Sequence, residues 1–358
     1  MNLLIEISHH GYGHLTQTAQ ALSPFIHRLC FDKIFIRSSI SYDMLKNKFL
    51  DLNFTHINEP SDPCLNMIDA LNIDIEKSRN SYQSLLKNWD SEKSRLKNLL
   101  LDLQISIVFS NISFQILEAA YECNIPSVAL SSLNWADLIS HYLHSNDMNF
   151  RDIHTRIIKC YNLSSYFYAV KPGLDHSLIK PQKNLSLLNH NFKSQKNEIL
   201  NQLKLPAETK IILISFGGMN LYFYPSNWVI PKNIVLLTPA YITADNVSNF
   251  DYSKLPFEFK SILASSDFVI TKLGYGFVSE ITALGINCLY VKRNDWPEET
   301  FFSSWLNKYS YSEAISNLEF QNGLFFDRIR FENNKKYCIN TTNETSELFH
   351  DFKKLLNL

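Results

Sequence analysis

The chain has 358 residues, 45% of them hydrophobic and 19% charged. That is a globular balance, long enough for two domains with a core apiece, and it excludes a disordered or low-complexity polypeptide. A formal net charge of -1 supplies no global field to recruit nucleic acid or an anionic membrane, so no nucleic-acid partner is expected.

No apolar run approaches the roughly 20 residues that span a bilayer, which excludes a transmembrane segment and leaves peripheral membrane contact open. Met1–Ile7 is too short for a signal-peptide core. The six cysteines, Cys30, Cys64, Cys123, Cys160, Cys288 and Cys338, form no C-x-x-C pair and have no histidine at zinc-finger spacing. Several sit in apolar runs and read as buried thiols instead of ligands or disulfides, and a reducing cytoplasm is the expected location.

In chain order, Leu3–Ile7 reads as a first strand that runs into a polar, glycine-containing turn. Ile34–Arg37, Ile105–Phe109 and Val128–Leu130 read as further strands. Between the second and third, a polar stretch from about Ala70 to Leu101 has helical spacing through Leu85, Trp89, Leu96 and Leu100. Phe114, Leu117, Ala120 and Tyr121 mark the next helix, and Tyr166–Val170 a last strand of this half. Leu174 to Gln195, rich in Asn, Lys, Ser and Pro, reads as an interdomain connection.

A second series follows: strands at Ile211–Ser215, Ile234–Thr238, Phe268–Ile270 and Cys288–Val291, with helices near Phe257–Ala264 and Phe277–Leu284. Ser346–Leu356 has the spacing of a final helix. The alternation predicts an α/β fold, one doubly wound parallel sheet per half. The expected domains are 1–180 and 195–335, with a C-terminal helix over 336–358.

Four strand-to-helix turns carry the candidate chemistry. The first is Ser8–Thr16, where Gly11 and Gly13 let the backbone approach a ligand and the following helix start offers N–H groups to an anion. Two glycines fall short of the G-x-G-x-x-G fingerprint, so a dinucleotide cofactor is not supported. His14 stands in place of the missing glycine, at the carboxyl end of the first strand, where ligands of open sheets bind. A neutral imidazole there could take a proton from a hydroxyl nucleophile; the bland alternative is packing against its own helix. His9 and His10 read as turn residues or as partners of such a site.

The second turn, Ser215–Gly218, exposes backbone N–H groups at Gly217 and Gly218 to a phosphate, although Gly-Gly after a strand is commonly just a turn. The third, Ala264–Glu280, is the most informative. A buried strand feeds Gly274-Tyr275-Gly276 and a helix whose N-terminus can hold a diphosphate, with Lys272 adding a charge and Ser279 close by. Glu280 suits vicinal ribose hydroxyls, or simply complements the helix dipole. In the fourth, Val291–Thr300, the carboxylates of Asp295, Glu298 and Glu299 suit sugar hydroxyls, or serve as cap and first-turn acids around Pro297. No Asp-x-Asp occurs, so the charge of a departing diphosphate falls to helix ends, backbone N–H groups and Lys272 or Arg293, with no metal and no cofactor expected.

Taken together, His10–Thr16, Leu133–Asp137, Phe216–Gly218, Lys272–Glu280 and Val291–Glu299 resemble the glycosyltransferase-like domain that precedes the sugar kinase in plant L-arabinokinase, and its stand-alone bacterial relatives. More distantly they resemble the bacterial N-acetylglucosaminyltransferase that makes lipid II, of glycosyltransferase family 28. The resemblance covers most of residues 1 to 320. It implies the GT-B fold, two Rossmann-like domains facing a central cleft, with the final helix folding back onto the first.

It further implies a nucleotide-sugar donor, a UDP-sugar by analogy, held by Gly274, Gly276 and Glu280, with Glu298 or Glu299 on the sugar and His14 on the acceptor side. The implied activity is inverting transfer to an unidentified hydroxyl acceptor. A nucleotide-sugar hydrolase, an epimerase and a non-catalytic binding module are the alternatives. Gln17 stands where the family has an arginine, His9 where it has a glycine, and the phosphate loop of a sugar kinase is missing.

Overall fold

The computed structural model describes residues 1–143, 148–180, 182–186, 192–217, 221, 228–240, 249–293, 295–332 and 345–358. The chain divides into two compact units. Unit 1 comprises Met1–Met67, Ile73–Leu188 and Thr341–Leu358; unit 2 comprises Ile68–Asn72 and Asn189–Asn340.

Unit 1 is built in the order β1 (Asn2–Ile7), α1 (Tyr12–Leu22), β2 (Lys33–Arg37), α2 (Tyr42–Lys48), β3 (Thr55–Ile57), α3 (Ile75–Asp102), β4 (Ile105–Asn111), α4 (Gln115–Glu122), β5 (Ser127–Ser131), α5 (Trp135–Leu143), α6 (Met148–Asn162), β6 (Tyr166–Val170) and β7 (Gln182–Leu185). The strands form one parallel sheet ordered β3-β2-β1-β4-β5-β6-β7. Helices cover both faces of such a sheet, so its central strands are near-continuous apolar runs: Leu3, Leu4, Ile5, Ile107, Val108 and Phe109 are fully buried. The chain winds outward from β1 to β3, then returns to lay β4 on the other side of β1. That reversal opens a crevice at the carboxyl ends of β1 and β4, where Ile7 is paired with Asn111.

The long helix begins at Ile75 instead of near Ala70, because the Asp74 carboxylate accepts from the Lys77 N–H and caps it there. Ala70 and Leu71 instead join the apolar core of unit 2. The stretch expected to be a connection contains β7, an edge strand whose sequence Gln-Lys-Asn-Leu buries only its leucine. So polar a strand leaves no apolar alternation to detect.

Unit 2 runs through α7 (Lys196–Gln202), β8 (Lys210–Ser215), β9 (Ile234–Thr238), β10 (Asn249–Asp251), α8 (Phe259–Ala264), β11 (Phe268–Thr271), α9 (Tyr275–Leu284), β12 (Cys288–Val291), α10 (Pro297–Tyr309), β13 (Ser312–Ile315) and α11 (Asn317–Gln321). Its parallel sheet is ordered β10-β9-β8-β11-β12-β13. Here the winding reverses between β8 and β11, so the second and third glycine turns emerge side by side, with Ser215 paired to Thr271.

The last helix, α12 (Thr345–Leu355), belongs to unit 1. Phe352 is fully buried, its ring 5.7 Å from Phe25 and 6.2 Å from Phe109. The Asp351 carboxylate accepts from the Tyr168 hydroxyl at 2.5 Å and the Lys183 ammonium at 2.6 Å. Among the described residues no helix is long and apolar enough to cross a membrane.

Candidate functional site

In unit 1 the turn after β1 is fastened at its base by the Ser8 N–H donating to the Asn111 carbonyl at 2.7 Å. Gly11 precedes α1 at φ 103, a conformation that a side chain would strain. A Cβ built on Gly11 or Gly13 meets no atom within 4 Å among the described residues. Among the described residues nothing crowds these glycines, and they leave open space beside the backbone.

His14, in the first turn of α1, points at the end of β4, its Nδ1 lying 2.9 Å from Asn111 Oδ1. The Asn111 Nδ2 donates to the His14 carbonyl at 3.2 Å and to Gln17 Oε1 at 3.3 Å. These bonds assign Oδ1 to the imidazole, so Nδ1 carries the proton and donates, leaving Nε2 as the basic nitrogen. Burial is the main cause of a pKa lowered to about 4; nearby His9 lowers it further, while the Asn111 bond opposes them. The ring is neutral at physiological pH.

Trp135 lies beside this imidazole at 6.0 Å, and meets His10 edge-on at 5.1 Å. Gln17 also donates to Ser132 Oγ at 3.0 Å. Where the resemblance expects an arginine, the chain holds a neutral network that closes around Asn111. His9 faces Ser61 Oγ at 3.3 Å and Cys64 Sγ at 3.6 Å.

In unit 2, Gly217 follows β8 at φ 75, while Gly218 lies outside the described residues. Gly274 is the N-cap of α9 and brings no side chain to cap it. The first N–H bonded back along this turn is that of Val278, to the Gly274 carbonyl at 3.0 Å, and a helix supplies no carbonyls for the N–H groups before that point. A Cβ on Gly274 or Gly276 meets no atom within 4 Å among the described residues, so this helix start also borders open space.

Lys272, half-buried at the end of β11, has its pKa lowered to about 7, first by burial and then by the Arg293 guanidinium, against the raising effect of Asp69 and Glu298. Tyr275, Ser279 and Glu280 are buried on α9.

The turn after β12 is tied into this neighbourhood. Arg293 Nη2 donates to the Leu273 carbonyl at 2.6 Å, and its guanidinium lies 4.0 Å over the Trp296 ring. The Arg293 backbone N–H donates to Glu299 Oε2 at 3.0 Å, and Trp296 Nε1 to Glu298 Oε2 at 3.2 Å. Glu298 and Glu299 follow Pro297 in the first turn of α10, and both are buried. One oxygen of each is thus engaged within its own loop. Asp295 is exposed, at φ 62.

The predicted residues thus gather into a group in each unit: His10, Gly11, Gly13 and His14 in the first, and Gly217 with Lys272–Gly276, Glu298 and Glu299 in the second. Asn111 belongs to none of the predicted motifs. Its signal was a polar residue closing the apolar run Ile105–Phe109, but its importance depends on β4 lying next to β1. Among the described residues no three His, Cys, Asp or Glu side chains are grouped to hold a metal ion.

Two parallel sheets, flanked by helices and each reversing its winding at a glycine-bearing strand end, define the GT-B class of α/β proteins, the fold of glycosyltransferases. No family model matches the chain. L-arabinokinase of Arabidopsis thaliana is 21% identical over 216 residues, a match covering 59% of this chain and 20% of that protein; the chain is similar to about a fifth of that curated relative.

Three solved structures align over nearly the whole chain. CalG4, the calicheamicin glycosyltransferase, has a TM-score of 0.63 at 10% identity, over 99% of this chain and 98% of its own. MurG of Acinetobacter baumannii has 0.52 at 11%, over 99% of both. The UDP-GlcNAc 2-epimerase of Neisseria meningitidis, solved with UDP-GlcNAc bound, has 0.55 at 11%, over 99% and 100%. At such identities the likeness is one of fold. The chain has the GT-B fold.

Proposed function

We propose that unit 2 binds a nucleoside diphosphate sugar, a UDP-sugar by analogy, and that the protein transfers the sugar to a hydroxyl acceptor with inversion and without a metal ion. The observation that carries this is the open space over Gly274 and Gly276, at the start of α9 and beside Lys272, where the sheet reverses. Backbone N–H groups and a lysine at a helix N-terminus suit a diphosphate, and the Glu280 carboxylate suits the two ribose hydroxyls.

In the transfer, the acceptor oxygen forms its bond to the anomeric carbon and gives its proton to His14 Nε2. The bond from that carbon to the diphosphate oxygen breaks, with its electron pair leaving on the diphosphate. The α9 N–H groups and the Lys272 ammonium balance that charge. Asn111 Oδ1, accepting from Nδ1–H, supports the imidazolium as it forms.

The test is a calorimetric titration with UDP, GDP, ADP and a panel of their sugars. UDP is expected to bind, and at about one hundred times its dissociation constant to stabilise the fold by about 2.7 kcal/mol. Glu280→Gln, which weakens the ribose acceptor, is expected to reduce that affinity. If no nucleotide binds, the donor site is refuted.

The fold likeness to an epimerase favours a second reading, in which the same site turns over a donor alone. Incubating donor without acceptor separates the two: free sugar signals hydrolysis, an inverted sugar centre epimerisation. Binding with no turnover of any donor would mark a non-catalytic module, consistent with Gln17 replacing the arginine.

A further inference from the structure

The predicted roles leave unused the tie between the loop before α10 and the turn before α9. Arg293 is almost fully buried and is held at three points. Its backbone N–H is fixed to Glu299, its guanidinium carbon sits 4.0 Å over the Trp296 ring, and its Nη2 is committed to the Leu273 carbonyl. The planar, always-charged guanidinium suits such a double role of stacking and donating, which lysine cannot copy.

Leu273 is the residue immediately before the N-cap Gly274. In a trans peptide the carbonyl and the following N–H lie in one plane and point in opposite directions across the C–N bond. Holding the Leu273 oxygen on Arg293 therefore turns the Gly274 N–H away from the guanidinium and fixes the plane on which α9 begins. Trp296, carrying the guanidinium, also donates to Glu298, so one side chain links the amides proposed for the diphosphate to a carboxylate proposed for the sugar.

We propose that Arg293 is the positioning residue of this site, locking the turn Lys272–Gly276 to the loop that opens α10 so that the two respond to a bound donor as one body. This rests on the donor-site reading above for its functional meaning; the lock itself does not. Its charge has a second consequence. Among the described residues, Arg293 disfavours the Lys272 ammonium, whereas Asp69 and Glu298 favour it.

The test uses the full chain with Arg293→Gln, which removes the charge, and Arg293→Lys, which keeps the charge but not the planar fork. Amide hydrogen exchange on the ligand-free protein reads the lock directly. Both variants are expected to exchange about tenfold faster or more over 273–277 and the start of α10, the loss of one charge-assisted hydrogen bond.

UDP titrations across pH read the function. Arg293→Gln is expected to bind at least about tenfold more weakly, while the pH at which affinity is half lost moves upward, because Lys272 has lost a neighbouring cation. A general loosening of the fold would weaken binding without moving that midpoint. Arg293→Lys keeps the midpoint near the parent's.

Unchanged exchange in both variants overturns the lock. Weaker binding by Arg293→Gln with an unmoved midpoint overturns the charge effect on Lys272 and leaves the lock to the exchange result. If the parent protein binds no UDP, the donor reading fails alone, and the exchange measurement still decides for or against Arg293.

Discussion

The bond from His14 to Asn111 gives the sharpest handle on unit 1. Asn111→Asp replaces a neutral amide oxygen, 2.9 Å from Nδ1, with a carboxylate of nearly the same shape. With the charge centres about 4 Å apart and an effective dielectric of about 20, a carboxylate and an imidazolium attract by about 4 kcal/mol. At about 1.4 kcal/mol per tenfold, that raises the proton affinity of the pair about a thousandfold.

The native imidazole titrates at about 4, so the variant's should titrate close to neutrality. The introduced carboxylate shares the burial and holds the proton jointly with His14, and the transition belongs to the pair. Imidazole NMR on the ligand-free protein follows it without any substrate. A native His14 titrating near its ordinary 6.5 would refute burial as the dominant cause, and a variant still titrating near 4 would refute the close contact of His14 with Asn111. If His14 is the catalytic base, the variant also loses turnover progressively as pH falls through 7, whereas the native profile stays level there.

Two further outcomes are expected. Lys272, with a folded pKa of about 7 against an ordinary 10.5, should make UDP affinity fall as pH rises through 7. Between those values the unfolded chain keeps a proton the folded one has lost, so this residue's contribution to stability rises with pH. Lys272→Met should remove both slopes, as titration calorimetry and thermal melts against pH would show. Separately, Phe352→Ala empties a site enclosed by Phe25 and Phe109 and should cost about 3–5 kcal/mol; denaturant unfolding checks it, and a loss below about 1 kcal/mol would mean that α12 packs only loosely.

The central strands were legible because both of their faces are covered and the runs are wholly apolar: Ile105–Phe109 and Ile211–Ser215 can hardly be anything else. Edge strands were not, since β7 and β3 bury little and carry polar side chains. The glycine turns announced themselves by composition. What composition could not give is which strand ends are neighbours. Asn111 matters because β4 returns beside β1, and Gly217 stands beside Lys272 only because β8 pairs with β11. Arg293 was visible as a charge; its grip on the Leu273 carbonyl is a distance relation between two loops, and no spacing in the sequence encodes it.

The division of the chain has a consequence for how the molecule is made. The polypeptide passes between its two units four times, at 67/68, 72/73, 188/189 and 340/341. As the ribosome delivers the chain from its N-terminus, Phe25 and Phe109 are synthesised long before the residue that covers them, Phe352. The first half therefore waits with an uncovered aromatic patch until Phe352 has been made, a state open to capture by chaperones or by its own kind. An isolated piece spanning 189–340 would have the opposite deficiency, lacking Ala70 and Leu71 in its interior.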